Sequence, residues 1–110
     1  MSDADILQRL TKTLENRKGA GPEGSYVAKL YAGGPGAILE KIDEEASEVL
    51  LAAKDGDKLQ LVKETADLWF HCLVMLSYYG LTAADVLQEL QRREGVSGLV
   101  EKAQRRKGRP

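Results

Sequence analysis

The chain has 110 residues, 43% of them hydrophobic, 30% charged and 5% aromatic, and its formal net charge of -1 excludes a protein that binds polyanions through bulk basicity. A lone cysteine, Cys72, excludes an internal disulfide framework. The N-terminus has no signal-peptide core, and the longest apolar run, Leu68 to Leu76, is too short to span a bilayer and is interrupted by His71; a cytoplasmic protein that engages neither membrane nor nucleic acid is expected.

Ile6, Leu7, Leu10 and Leu14 recur at helical spacing, with Ser2 or Asp3 as a cap, and predict a first helix that ends before Gly19. Gly19, Gly21, Pro22 and Gly24 mark a loop, after which Ser25 caps a short helix through Tyr26, Val27, Leu30 and Tyr31. Gly33-Gly34-Pro35-Gly36 punctuates again; it is too short and misplaced for a phosphate-binding P-loop. A long helix over Ala37 to Lys54 follows and ends near Asp55-Gly56-Asp57. The next runs from about Asp57 to Tyr79 and stops at Gly80. Thr82 caps a shorter helix through Ala83, Val86, Leu87 and Leu90. Gly95, Ser97 and Gly98 loosen the end, and 105–110 read as a flexible basic tail. With no strand alternation, no repeat and no linker, residues 1–110 are expected to form one all-α domain.

Two carboxylate pairs stand out. At roughly 100° per residue, Ile38, Ile42, Glu45, Val49 and Ala52 share one narrow stripe, so Glu45 lies inside an apolar face with Glu48 one turn on at its margin. An unpaired carboxylate there costs several kcal/mol or takes up a proton. On the following helix Glu64 and Asp67 form another i, i+3 pair, and His71 continues that face. The run from Leu68 to Leu76 is apolar in nearly every direction, which predicts a helix covered on all sides. A short loop makes the two helices antiparallel neighbours, and Glu45 and Glu48 then face Glu64 and Asp67. Four converging carboxylates call for a hard divalent cation, magnesium or else manganese, and magnesium takes phosphate oxygens as further ligands. The competing reading of each pair is a solvated helix surface.

These residues resemble the signature of the all-α, MazG-like nucleotide pyrophosphohydrolases, and within them the phosphoribosyl-ATP pyrophosphatase family. The resemblance rests on Leu14-Glu15-x-Arg17-Lys18, Ser25-Tyr26-Val27-Ala28-Lys29-Leu30, Lys41-Ile42-x-Glu44-Glu45-x-x-Glu48 and Glu64-x-x-Asp67-Leu68-x-x-His71-x-x-Val74, with Ser97-Gly98-x-x-Glu101-Lys102-Ala103 at the end. It implies a helical bundle of antiparallel helix pairs completed by dimerisation, and hydrolysis of the α–β phosphoanhydride of phosphoribosyl-ATP to phosphoribosyl-AMP and pyrophosphate, the second step of histidine biosynthesis. Carried over by position, Glu45, Glu48, Glu64 and Asp67 become magnesium ligands, and Glu44 a residue that orients or deprotonates water. Asp43 departs from the small residue usual in the family.

Cations to hold phosphates are sought among Arg17, Lys18, Lys29, Lys41 and Lys54, each of which also reads as a solvated surface charge. His71 is expected to support the ligands or the core rather than bind a hard metal. Trp69, Phe70, Leu73 and Leu76 are assigned to core or subunit interface, and Cys72 to a buried thiol. The expected assembly is a homodimer or a higher homo-oligomer, because a single subunit of this size offers the Leu68 to Leu76 helix too little cover. The rival readings are a hydrolase that clears canonical or damaged nucleoside triphosphates, and a non-catalytic helical interaction module.

Overall fold

A computed structural model of the chain describes residues 5–95 and 98–107, with the side chains of 100, 101, 106 and 107 set aside. Helix α1 (Ile6–Arg17) buries Leu14 and half-buries Leu7 and Leu10, while Ile6 stays exposed. The expected cap at Ser2 or Asp3 lies outside the described residues. A single 3-10 turn, Pro22–Gly24, leads into Ser25, whose extended backbone and Oγ, accepting from the Ala28 N–H at 3.2 Å, start α2 (Tyr26–Asp55).

Helix α2 is broken once. Gly34 adopts φ 80° and ψ -172°, a conformation that L side chains rarely adopt, and Pro35 follows it. The two arms correspond to the two helices that the glycine punctuation predicts. The second arm stops at Gly56 (φ 72°), which returns its N–H to the carbonyls of Ala52 and Ala53. Asp57 then accepts from the Gln60 N–H at 3.0 Å and caps α3 (Lys58–Tyr78). A connection this short forces α2 and α3 into an antiparallel hairpin, and they form the most extensive helix–helix contact among the described elements.

At the far end of α3, Gly80 (φ 77°) and the bond from the Leu81 N–H to the Leu76 carbonyl (2.8 Å) close the helix. The Thr82 N–H donates to the Asp85 carboxylate at 2.9 Å, and α4 (Ala83–Arg93) leaves at 109° to α3. The last helix, α5 (Gly98–Lys107), takes in residues 105–107, where the sequence reads as a flexible tail; 108–110 lie outside the described residues, as does Ser97. No strand occurs among the described residues, and no single helix is long and apolar enough to cross a membrane.

Leu14, Val27, Leu30, Ile38, Leu73, Val74 and Ala83 form the core, so α1, both arms of α2, α3 and the start of α4 all contribute to it. Phe70 and Leu76 pack against this cluster. Trp69, by contrast, is 62% exposed. Every other residue of the Leu68 to Leu76 segment is buried or half-buried, so the all-round cover that the sequence predicts fails at Trp69 alone.

Candidate active site

The hairpin register decides which carboxylates meet. Glu45 lies eleven residues before Gly56 and Asp67 eleven after it, so at equal rise per residue the two stand at one level of the antiparallel pair. Glu64 is one turn from Asp67. Accordingly Glu45, Glu64 and Asp67 each offer an oxygen, and the three oxygens lie within 4.8 Å of one another.

Their surroundings differ. Glu64 is buried, and its Oε1 accepts from Gln60 Nε2 at 2.6 Å. Glu45 is half-buried with its Oε2 wholly shielded from solvent and without a hydrogen-bond partner. Burial, then the Asp67 charge and then the neighbouring Glu64 carboxylate push the Glu45 carboxyl above its ordinary range. Asp67 is exposed and opens the trio to solvent. An orphaned acceptor, an all-oxygen donor set and a carboxyl drawn towards protonation describe a place where positive charge is wanted. The three residues fit a hard divalent cation.

Glu48 and Glu44 are exposed and stand outside the trio. Glu44 accepts from Lys41 Nζ at 3.2 Å. The Glu44 hydrogen bond and charge, and after them the charges of Tyr26 and Glu45, hold the Lys41 ammonium above its ordinary range. Arg17 lies in the last turn of α1, Lys29 in the first arm of α2 and Lys54 in the last turn of α2. All three side chains are exposed, and no described contact brings them to the carboxylates. Lys18 pairs with Glu15 at 3.4 Å, and Ser77 Oγ donates to the same Glu15 at 2.9 Å, tying α1 to α3.

His71 is buried, and both of its nitrogens are engaged. Nδ1 lies 2.7 Å from the Asp67 carbonyl oxygen, an obligate acceptor, so Nδ1 carries the proton and donates. Nε2 then accepts from the Tyr26 hydroxyl at 2.7 Å. Two participants, Gln60 and Tyr26, are not among the site residues to which the sequence points. Gln60 was open to detection as the i-4 neighbour of Glu64 on one face of α3. Tyr26 lies 45 residues from His71, and no local spacing connects them.

Residues 7–94 match the protein family described as phosphoribosyl-ATP pyrophosphohydrolase. Proteins named phosphoribosyl-ATP pyrophosphatase are similar over nearly the whole chain. The one from Nitrosospira multiformis is 61% identical over 98% of this chain and 89% of its own. That from Chromobacterium violaceum is 57% identical over 93% and 94%, and that from Bordetella avium 59% over 93% and 90%.

Proposed function

The chain belongs to the phosphoribosyl-ATP pyrophosphohydrolase family, and we propose that it hydrolyses phosphoribosyl-ATP to phosphoribosyl-AMP and pyrophosphate in histidine biosynthesis, with magnesium held by Glu45, Glu64 and Asp67. The observation that carries the metal assignment is the shielded, unpartnered oxygen of Glu45 inside a group of three carboxylates. Bound there, a hard divalent cation supplies charge neutralisation for the phosphates and acidifies water.

The chain's own residues do the rest. Glu64, fixed by Gln60, and Glu45, fixed by burial, form the rigid wall of the site, while Asp67 stands at its open edge. Glu48 lies one turn beyond Glu45 on α2, solvent-facing and free to turn towards metal or substrate. Water attacks phosphorus, the bridging α–β P–O bond breaks, and pyrophosphate leaves with that electron pair. Glu44 is the candidate to orient the water or take its proton. Lys41, beside it, offers an ammonium to the phosphates, with Arg17, Lys29 and Lys54 as more distant partners. Cys72 is no nucleophile in this scheme, because burial pushes its thiol up and keeps it protonated.

The same reading makes the protein a cytoplasmic homodimer or larger homo-oligomer. One chain exposes 8044 Å², against about 6000 Å² for a compact protein of its mass. Leu59, Val62, Ala66 and Trp69 repeat at alternating spacings of three and four along α3, the seam of a helix that packs lengthwise on another. Leu59, Val62 and Trp69 are each more than 60% exposed on it.

The decisive assay measures pyrophosphate release from phosphoribosyl-ATP, ATP and deoxynucleoside triphosphates, with magnesium and with a chelator. Turnover confined to phosphoribosyl-ATP and abolished by the chelator is expected. Equal turnover of all the nucleotides, or full activity in the chelator, would sink the proposal.

A further inference from the structure

The first arm of α2 does something its position in the sequence does not suggest. Continued as a straight helix, nineteen residues from Tyr26 to Glu45 would hold them about 28 Å apart. The break at Gly34 and Pro35 instead lets the arm fold back against α3, where the Tyr26 hydroxyl reaches His71 Nε2 at 2.7 Å. Tyr26 and Phe70 both meet the imidazole edge-on, with centroids 5.8 Å and 5.5 Å away, so the ring is held from two directions. His71 Nδ1–H in turn donates to the carbonyl oxygen of Asp67, the residue that carries the exposed carboxylate of the trio. The tyrosine ring is half exposed, and it feels the charges of Lys41, Glu45, Glu44 and Asp67.

We infer that Tyr26 is a positioning residue: through His71 it fixes the backbone at Asp67, and so sets where that carboxylate stands relative to Glu45 and Glu64. The inference rests on the proposed role of those three carboxylates. A tyrosine that merely satisfied a buried histidine would affect stability alone. A positioning tyrosine affects metal affinity and turnover while leaving the substrate-binding groups in place.

The chain holds one histidine, so the imidazole nitrogen resonances of isotopically labelled protein belong to His71 without further assignment. The wild-type spectrum should show the Nδ1–H tautomer, with Nε2 as a hydrogen-bond acceptor. In Tyr26→Phe, which keeps the ring, the Nε2 resonance should move towards that of an acceptor without a partner. Calorimetric titration with magnesium alone should show about tenfold weaker binding, and kcat should fall about tenfold with KM for phosphoribosyl-ATP little changed, as for other residues that orient metal ligands.

His71→Asn retains an amide able to donate to the Asp67 carbonyl but no longer reaches Tyr26. In that background Tyr26→Phe should cost nothing further, and this holds as a test even if Tyr26→Phe alone is poorly folded. Wild-type magnesium affinity in Tyr26→Phe, a loss carried wholly by KM, or additive losses in the double variant would overturn the inference. If wild-type protein fails to hydrolyse phosphoribosyl-ATP, the proposed function falls, while the imidazole spectrum and the magnesium titration still decide the role of Tyr26.

Discussion

Replacing Glu45 by glutamine should reverse the usual consequence of removing an active-site carboxylate, and the direction should depend on magnesium. The three oxygens of the trio lie within 4.8 Å of one another. Two full charges at that separation repel by about 3.5 kcal/mol at an effective dielectric of ~20, and by about 0.9 kcal/mol in bulk water. Asp67 is exposed and Glu45 half-buried, which favours the lower part of that range. Glutamine also brings an amide that can donate to Glu64. Without metal, Glu45→Gln should therefore be about 1–2 kcal/mol more stable than wild type at pH 8, raising Tm by roughly 4–8 °C per kcal/mol for a domain of this size.

The pH dependence has a definite sign. Burial and the neighbouring carboxylates raise the Glu45 pKa in the folded state above its ordinary 4.5. Through that interval the folded chain holds more protons than the unfolded one, so the contribution is complete below 4.5 and is lost as pH rises through the folded value. Metal-free wild type should lose stability over this range, and Glu45→Gln should lack that slope. Added magnesium should restore wild type by RT ln(1 + [Mg]/Kd), about 2.7 kcal/mol at a hundredfold excess over Kd, and restore the variant far less. Urea denaturation followed by circular dichroism, at fixed protein concentration with chelator or magnesium, reads all of this. A variant less stable than wild type in chelator at pH 8, or equal magnesium shifts in the two proteins, would refute the reasoning.

Glu64→Gln should abolish measurable magnesium binding, whereas Glu48→Gln, outside the trio, should weaken it by about 10–100-fold; calorimetric titration ranks the two. Trp69→Glu puts a charge on the exposed α3 seam, and sedimentation should then report the 12.1 kDa monomer where wild type runs as a dimer or larger. Because burial raises the Cys72 thiol, its alkylation by iodoacetamide at pH 8 should be at least about tenfold slower in the folded protein than in urea. Ile38→Ala, at a site only 1% exposed, should cost about 2–5 kcal/mol in denaturant titration while magnesium affinity is unchanged in the fraction that folds.

What was legible in the sequence was whatever a few neighbouring residues decide. The Ser25 cap, the helix start near Asp57, the stops at Gly56 and Gly80 and the break at Gly34-Pro35 all follow from local backbone preferences. The meeting of Glu45 with Glu64 and Asp67 was also within reach, because a tight antiparallel connection fixes register and helical period fixes face. Glu48 shows the limit of that reasoning. Its i, i+3 spacing from Glu45 turns it about 60° around the helix, enough in this hairpin to leave it solvent-facing beside the trio. The Tyr26–His71 bond depends on how far the first arm of α2 folds back, which glycine and proline permit but do not specify. Helix α5 escaped notice because Gly95 and Gly98 read as breakers, while the charged residues after them carry no apolar stripe.

The hairpin keeps its two demands on opposite sides. Measured around α3 from Glu64, the exposed Val62 and Trp69 stand about 140–160° away; measured around α2 from Glu45, the exposed Leu39 and Leu50 stand about 120–140° away. A second copy seated on these apolar stripes would leave the carboxylate trio open to substrate. It would also clamp the helices whose register brings Glu45, Glu64 and Asp67 within reach of a common ion. In the proposed dimer, repulsion within the trio would push α2 and α3 apart at the level where the stripes would hold them together. If the chain associates in this way, association and cation binding would oppose the same strain from two sides, and each should strengthen the other without any shared residue.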